Sequence, residues 1–366
     1  MSDPLREGGS LPDETRPVRA GEELEPGALD AFMRLAIGGE PDGPPLVRQF
    51  PGGFSNLTYA VTWDGRDFVL RRPPFGSRGG SAHDMVREYR VLVALHAAGV
   101  KVPRPLALCE DPSLFGAPFY VMERVRGVIL RGTHLTDGMD AAQVRALCES
   151  MIGTLAGIHR VDPRTPALAS LGNPEGYASR QVSGWTRRWE AARTSDVPAI
   201  ERTIAWLAER VQGRPAVPAR PAVVHNDYKL DNLVLDPADT SRVRAVLDWE
   251  MATVGDAALD LGTTLAYWTD ADDPPAWRAI QRQTGTLLPH QPSRAELVAM
   301  YESASGATVD DVAFAHVLGL FKVAVIAQQI YARYAAGHTR DPRFASLDQA
   351  VALIGSVAER ATRQAS

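Results

Sequence analysis

At 366 residues and 39.6 kDa, the chain is too long for one small core and too short for more than two or three domains. Its 45% hydrophobic and 23% charged residues exclude a disordered or collagen-like polymer. With 44 acids against 39 bases, a formal charge of −5, it lacks the basic excess a nucleic-acid binder uses to neutralise phosphates. Two cysteines, Cys109 and Cys148, are too few for a disulfide framework, which points to a reducing, cytoplasmic setting. No apolar run opens the sequence, so no signal peptide is expected.

Residues 1–45 read as a mobile leader with one amphipathic helix, about Pro26 to Ile37, in which Leu29, Phe32, Met33 and Ile37 share a face. Tyr59–Trp63 and Asp67–Leu70 flank Asp64-Gly65, the signature of a tight hairpin. A helix over Ser81–Leu95 follows, capped by Ser81 and stopped at Gly99. Two further strands lie near Arg104–Cys109 and Pro118–Arg124, which completes a small sheet lobe.

Beyond residue 125 helical periodicity takes over. Val144, Leu147, Met151, Leu155 and Ile158 form one stripe behind the cap Asp140, and Ile200, Ile204, Leu207 and Val211 form another. Val223-Val224 and Val243–Leu247 read as short strands around a polar loop, and helices return from Ala257. Phe314–Ile330 is the most apolar stretch. His316 and Lys322 interrupt it, and it falls short of the roughly 20 apolar residues of a span, so a buried helix and no membrane segment are expected.

The chemistry concentrates in His225-Asn-Asp227-Tyr-Lys229-Leu-Asp231-Asn232 and in Leu247-Asp248-Trp249-Glu250. Phosphoryl transfer needs a carboxylate to orient the attacking hydroxyl, with an amide and a second carboxylate to hold Mg²⁺ on the phosphates. Asp227, Asn232 and Asp248 supply that set, as oxygen donors suited to a hard cation. Lys229 is placed to offset phosphoryl charge. Bland roles fit the neighbours: a scaffold histidine at 225, and loop, hydrogen-bonding and capping acids at 231, 250 and 256.

With its His-x-Asp-x-x-x-x-Asn loop, its Leu-Asp-Trp-Glu and its Gly255-Asp256-x-x-x-Asp260-Leu261, the chain resembles the aminoglycoside phosphotransferase-like branch of the protein-kinase-like superfamily. The resemblance implies an α+β, two-lobed protein-kinase-like fold: a small antiparallel-sheet N-lobe plus one helix, and a larger, mainly helical C-lobe. Its divisions would be a leader at 1–45, a nucleotide-binding N-lobe at 46–125, and a C-lobe at 126–366 with the catalytic loop and acceptor-binding helices. It implies ATP and Mg²⁺ as cofactors, Asp227 as catalytic base, Asn232 and Asp248 as metal ligands, and His225 and Asp260 as braces. It further implies phosphate contacts from the glycine-rich turn at Gly53, Phe54, Ser55 and Asn56, and an Arg71–Glu88 pair where kinases carry a lysine. Arg72 takes that place if the register slips by one. Glu123 and Val125 would offer main-chain contacts to the base.

Tyr177–Trp185 and Phe321–Gly337 carry a closer likeness, to the phosphotransferase domains associated with acyl-CoA dehydrogenases. That likeness suggests a hydroxy acid or hydroxyacyl-CoA acceptor, with Arg180, Gln328, Tyr331 and Arg333 lining its pocket. The alternatives are an aminoglycoside or macrolide phosphotransferase, a nucleotide-binding pseudokinase and a protein kinase. Gly255 follows Asp248 by seven positions, too soon for a long activation segment, which disfavours the last. A polycationic drug calls for an acidic pocket. Residues 251–366 hold 12 acids and 9 bases, and Asp270, Asp272 and Asp273 form the one local cluster.

Overall fold

The structure, a computed structural model, describes residues 15–50, 56–75, 84–131, 136, 138–284, 287–339 and 341–365. They fall into two compact units: Met1–Ile129 with Asn232–Met251, and Leu130–Asp231 with Ala252–Ser366. Residues 232–251 thus group with the first unit.

In the first unit helix α1 (Pro26–Ala36) precedes β1 (Leu46–Gln49), β2 (Leu57–Trp63) and β3 (Arg66–Arg72). Helix α2 (Met85–Ala97), β4 (Pro105–Cys109) and β5 (Phe119–Glu123) follow. The five strands form one antiparallel sheet in the order β1-β2-β3-β5-β4. Asp64 and Gly65 close the β2–β3 hairpin with φ of 51° and 65°, the left-handed conformation a two-residue turn needs.

The described part of the leader is not a mobile arm. Leu29 and Met33 of α1 are buried with Tyr59, Trp63, Phe68 and Phe119, and Phe32 meets Phe119 edge to face at 4.9 Å. Trp63 Nε1 donates to Asp30 at 2.8 Å, which fixes α1 to the sheet. The cap of α2 also differs from expectation. Ser81 lies outside the described residues, and Asp84 caps the helix by accepting from the Arg87 N–H at 2.9 Å.

The helical unit contains α3 (Ala141–His159), α4 (Pro166–Ala169), α5 (Tyr177–Ala192) and α6 (Pro198–Arg210). Asp140 and Gln143 form a capping box on α3, whose expected stripe is fully buried. Helix α6 stops at Arg210, one residue before the stripe that was to end at Val211, because the chain tightens there into a 3-10 turn. Strand β6 (Pro221–Val224) leads to the polar loop. Within the first unit β7 (Leu233–Asp236) and β8 (Asp239–Val246) form a hairpin. Strand β6 instead pairs antiparallel with β9 (Thr253–Asp256). Neither β7 nor β9 was given bounds from the sequence.

Helices α7 (Ala257–Ala266), α8 (Pro275–Thr284), α9 (Arg294–Ser305), α10 (Val312–Ala335) and α11 (Leu347–Gln364) complete the unit. Helix α10 is long and apolar enough to cross a membrane, yet Phe314, Val317, Leu320, Phe321 and Val325 are buried, and it packs on α5, α7 and α11. It is the core helix of this unit, as its interrupted apolar run suggested.

Candidate active-site residues

In the sheet unit the site is built on the end of β3. Arg71 is buried there, and its guanidinium donates to Glu88 Oε1 of α2 at 2.7 Å and to Asp248 Oδ1 at 3.2 Å. Glu250 Oε2 lies 3.8 Å away and accepts from Asn56 Nδ2 at 2.9 Å. Burial works against the Arg71 charge, but Glu88 and then Asp248 and Glu250 hold the guanidinium firmly protonated. Burial likewise pushes the Glu88 carboxyl up, with Arg71 pulling it back. No register slip occurs, because Arg72 is buried on the other side and stacks over the Phe75 ring at 3.4 Å.

The two proposed metal ligands flank the β7–β8 hairpin, Asn232 just before β7 and Asp248 two residues after β8. The Leu247 N–H donates to the Asn232 carbonyl at 2.8 Å, which sets Asn232 beside the residue preceding Asp248. Asp248 itself has φ 66°, a left-handed conformation that Asp tolerates better than most residues. Among the described residues no group of three His, Cys, Asp or Glu side chains forms a protein cage. One amide and one carboxylate at the two ends of a hairpin fit Mg²⁺, which keeps its waters and takes few protein ligands.

In the helical unit β6 delivers the loop that carries Asp227. Its carboxylate accepts from the Tyr267 hydroxyl at 2.8 Å and pairs with Lys229 Nζ at 3.1 Å. Lys229 also lies over the Tyr267 ring, 4.8 Å from its centre, and 3.9 Å from Asp231. Burial opposes the Lys229 charge, yet Tyr267 and the two aspartates raise its pKa well above the usual lysine value. The loop is braced from below by Asp260 of α7, a helix capped by Asp256. Asp260 accepts from the N–H groups of His225 and Asn226, each at 2.7 Å, and meets His159 Nε2 at 3.0 Å. Burial raises the Asp260 pKa, but His159 and His225 outweigh it, so the carboxylate is held below its ordinary value. The His225 ring accepts from the Asp227 N–H at 3.2 Å, a scaffold role.

Several expected residues are occupied elsewhere. Gly53, Phe54 and Ser55 lie outside the described residues. The Glu123 N–H donates to the Arg104 carbonyl at 2.9 Å and the Val125 side chain packs against Ile129, Val234 and Ala245, contacts that involve neither the Glu123 carbonyl nor the Val125 amide. Arg180 donates to the carbonyls of Asn173 and Glu175, which makes it a loop anchor. Gln328 is buried and donates to Ala192 O and Thr194 Oγ1 at 2.8 and 2.9 Å, where it ties down the end of α5. Tyr331 is half-buried and Arg333 exposed on the last turns of α10. The acidic cluster is partly offset: Arg294 pairs with both Asp270 at 3.3 Å and Asp273 at 2.6 Å, and Arg360 lies 3.6 Å from the exposed Asp272.

Tyr267 and His159 escaped the sequence reading. No motif spacing announces either, since each reaches its partner from a separate helix, 40 and 101 residues away in sequence.

The sequence profile of the Phosphotransferase enzyme family matches residues 46–297. The chain is 37% identical over 349 residues to acyl-CoA dehydrogenase family member 10 of Mus musculus, covering 95% of this chain and 32% of that protein. It is 35% identical over 331 residues to family member 11 of Gallus gallus, covering 88% and 42% respectively. The chain thus spans well under half the length of these relatives. A candidate aminoglycoside phosphotransferase of Ralstonia eutropha has a crystal structure with a TM-score of 0.78 at 30% identity, over 93% of this chain and 99% of that one. Spectinomycin phosphotransferase bound to ADP and spectinomycin shares the fold, with a TM-score of 0.61 at 10% identity over 92% and 99%.

Proposed function

Because the chain belongs to the phosphotransferase enzyme family, we propose that it is a small-molecule kinase that moves the γ-phosphoryl group of ATP to a substrate hydroxyl. The observation that carries this reading is the setting of Asp227. Its carboxylate is oriented by Tyr267 and Lys229 while its N–H is tied to His225. A carboxylate so held orients an incoming hydroxyl and takes its proton as the new P–O bond forms. Lys229 and Arg71 then balance charge on the phosphates. Asn232 and Asp248 would hold Mg²⁺, whose charge neutralises the β- and γ-phosphates.

The proposed acceptor is a hydroxylated acid or its coenzyme A thioester. The likeness to acyl-CoA dehydrogenase family members supports it. So does the pairing of Asp270 and Asp273 with Arg294, which partly offsets the acidic cluster a polycationic drug would use. Of the four pocket candidates, Tyr331 and Arg333 stay in the proposal, and Arg333 suits a carboxylate or phosphate. Two free, buried cysteines accord with a reducing, cytoplasmic setting.

The test is an ADP-release assay over hydroxy acids, hydroxyacyl-CoAs, aminoglycosides, macrolides and choline-type alcohols. Stimulation by a hydroxy acid or its thioester is expected. Stimulation by an aminoglycoside alone would overturn the acceptor class. Bound ATP with no turnover on any acceptor would overturn the kinase reading in favour of a binding module.

A further inference from the structure

One buried cation near the catalytic loop has no part in the chemistry above. Lys322 sits in the middle of α10 with 3% of its surface exposed. Its ammonium donates to the main-chain carbonyl of Asn226 and lies 3.3 Å from that residue's Oδ1. The carbonyl belongs to the peptide that joins Asn226 to Asp227, so a bond to it constrains the plane from which Asp227 projects.

Asn226 is itself closely held. Its φ is 67°, in the left-handed region, which asparagine enters more readily than most residues, and its surroundings keep it there. Three helices supply that hold. Asp260 of α7 accepts the Asn226 N–H at 2.7 Å, and Lys322 of α10 takes the carbonyl. The Tyr177 hydroxyl of α5 donates to Oδ1 at 3.0 Å. Tyr177 is itself fixed, because its ring lies where Gly255 lacks a side chain: a Cβ there would meet ring carbons at 2.5 to 2.8 Å. The Trp185 ring, 5.6 Å from Lys322 Nζ, closes the other side.

A buried ammonium is costly, and apolar residues fill the rest of this helix face. The Lys322 pKa is lowered to about 8, chiefly by burial and less by Lys229 and Arg188, with Asp227 and Asp260 drawing it up. A methionine would pack here without that cost, so a positive donor needs a reason. The peptide carbonyl on one side and two carboxylates beyond it supply one.

We propose that Lys322 is a positioning residue of the catalytic loop, which with Tyr177 locks the Asn226–Asp227 peptide in the orientation that presents the Asp227 carboxylate. The inference rests on the kinase reading for its effect on turnover, but not for its effect on the loop. No motif assigns a role to Tyr177 or Lys322. Asn226 stands at the unspecified position of His-x-Asp, and Tyr177 and Lys322 belong to stretches in which Arg180 and Gln328 drew the attention.

The test compares the full-length chain with Lys322→Met and Tyr177→Phe by amide hydrogen exchange and by ADP release. In Lys322→Met, exchange across residues 225–232 is expected to quicken by roughly tenfold or more while α11 keeps its protection. The kcat is expected to fall by roughly ten- to a hundredfold, the effect of a small misplacement of a catalytic group, with KM for ATP nearly unchanged. Tyr177→Phe moves both readouts the same way by less. A folded Lys322→Met protein with wild-type loop exchange and wild-type kcat would overturn the proposal. If Lys322→Met fails to fold, Tyr177→Phe decides, and unchanged loop exchange there overturns it equally. A wild type that never turns over ATP would fail the kinase reading, while loop exchange still judges the positioning role.

Discussion

Arg71 shows how one side chain organises the sheet unit. Its guanidinium meets Glu88 at 2.7 Å, Asp248 at 3.2 Å and Glu250 at 3.8 Å, from α2 and from the segment after β8. A lysine ammonium is a point charge, whereas the planar fork reaches two partners at once from a fixed geometry. The departure from the kinase pattern is thus accommodated by the fork. Removing the charge is another matter. Arg71→Ala leaves the buried Glu88 without its partner, and a loss of about 3–5 kcal/mol is expected from an uncompensated buried charge. Denaturant unfolding measures it. Arg71→Lys keeps the charge, so it should recover most of that loss. An alanine variant as stable as wild type would show that the pair is not needed to hold Glu88.

At the scale of elements, α7 carries the bracing of the loop that bears Asp227. Asp260 lies in its first turn and Tyr267 caps its end, so a shift of this helix moves two of the groups that hold the loop. Its position against α10 depends on the absence of two side chains. A Cβ at Gly262 would overlap the Ala315 carbonyl, and one at Gly319 would overlap the Gly262 carbonyl. Gly262→Ala should therefore destabilise the chain by about 1–3 kcal/mol, the usual cost of overpacking, and should lower turnover beyond what the stability loss explains. Thermal unfolding and steady-state kinetics together check this, and an unchanged melting point would refute the close approach.

Elements also show what sequence could not supply. The α3 stripe and the Asp64-Gly65 hairpin were readable because their signals are local. Strands β7 and β9 were not, since Thr253-Val-Gly-Asp256 has little alternation and its partner, β6, lies about 30 residues earlier. The cap of α2 is Asp84 and not the expected Ser81, since both residue types suit a cap and sequence alone does not rank them.

For the whole molecule, the chain passes from one unit to the other at Asp231–Asn232 and again at Met251–Ala252. The proposed base therefore belongs to the helical unit and the two proposed metal ligands to the sheet unit. All three candidates could be named from sequence because they stand in one short run with fixed spacing. Tyr267, His159, Tyr177 and Lys322 were not, because each arrives from a different helix through packing that no local pattern encodes. The likeness in sequence gave the chemistry its place, and the folded chain supplied the groups that aim it.

The central claim is that Asp227 is the base of a phosphoryl transfer, and Asp227→Asn tests it most directly. The amide keeps the size and the Tyr267 contact but accepts no proton. Measured by single-turnover phosphoryl transfer alongside nucleotide binding, the variant should bind ATP nearly as well as wild type and transfer roughly 10²–10⁴ times more slowly, the span for loss of a general base. Full transfer activity in a folded Asp227→Asn protein would contradict the account.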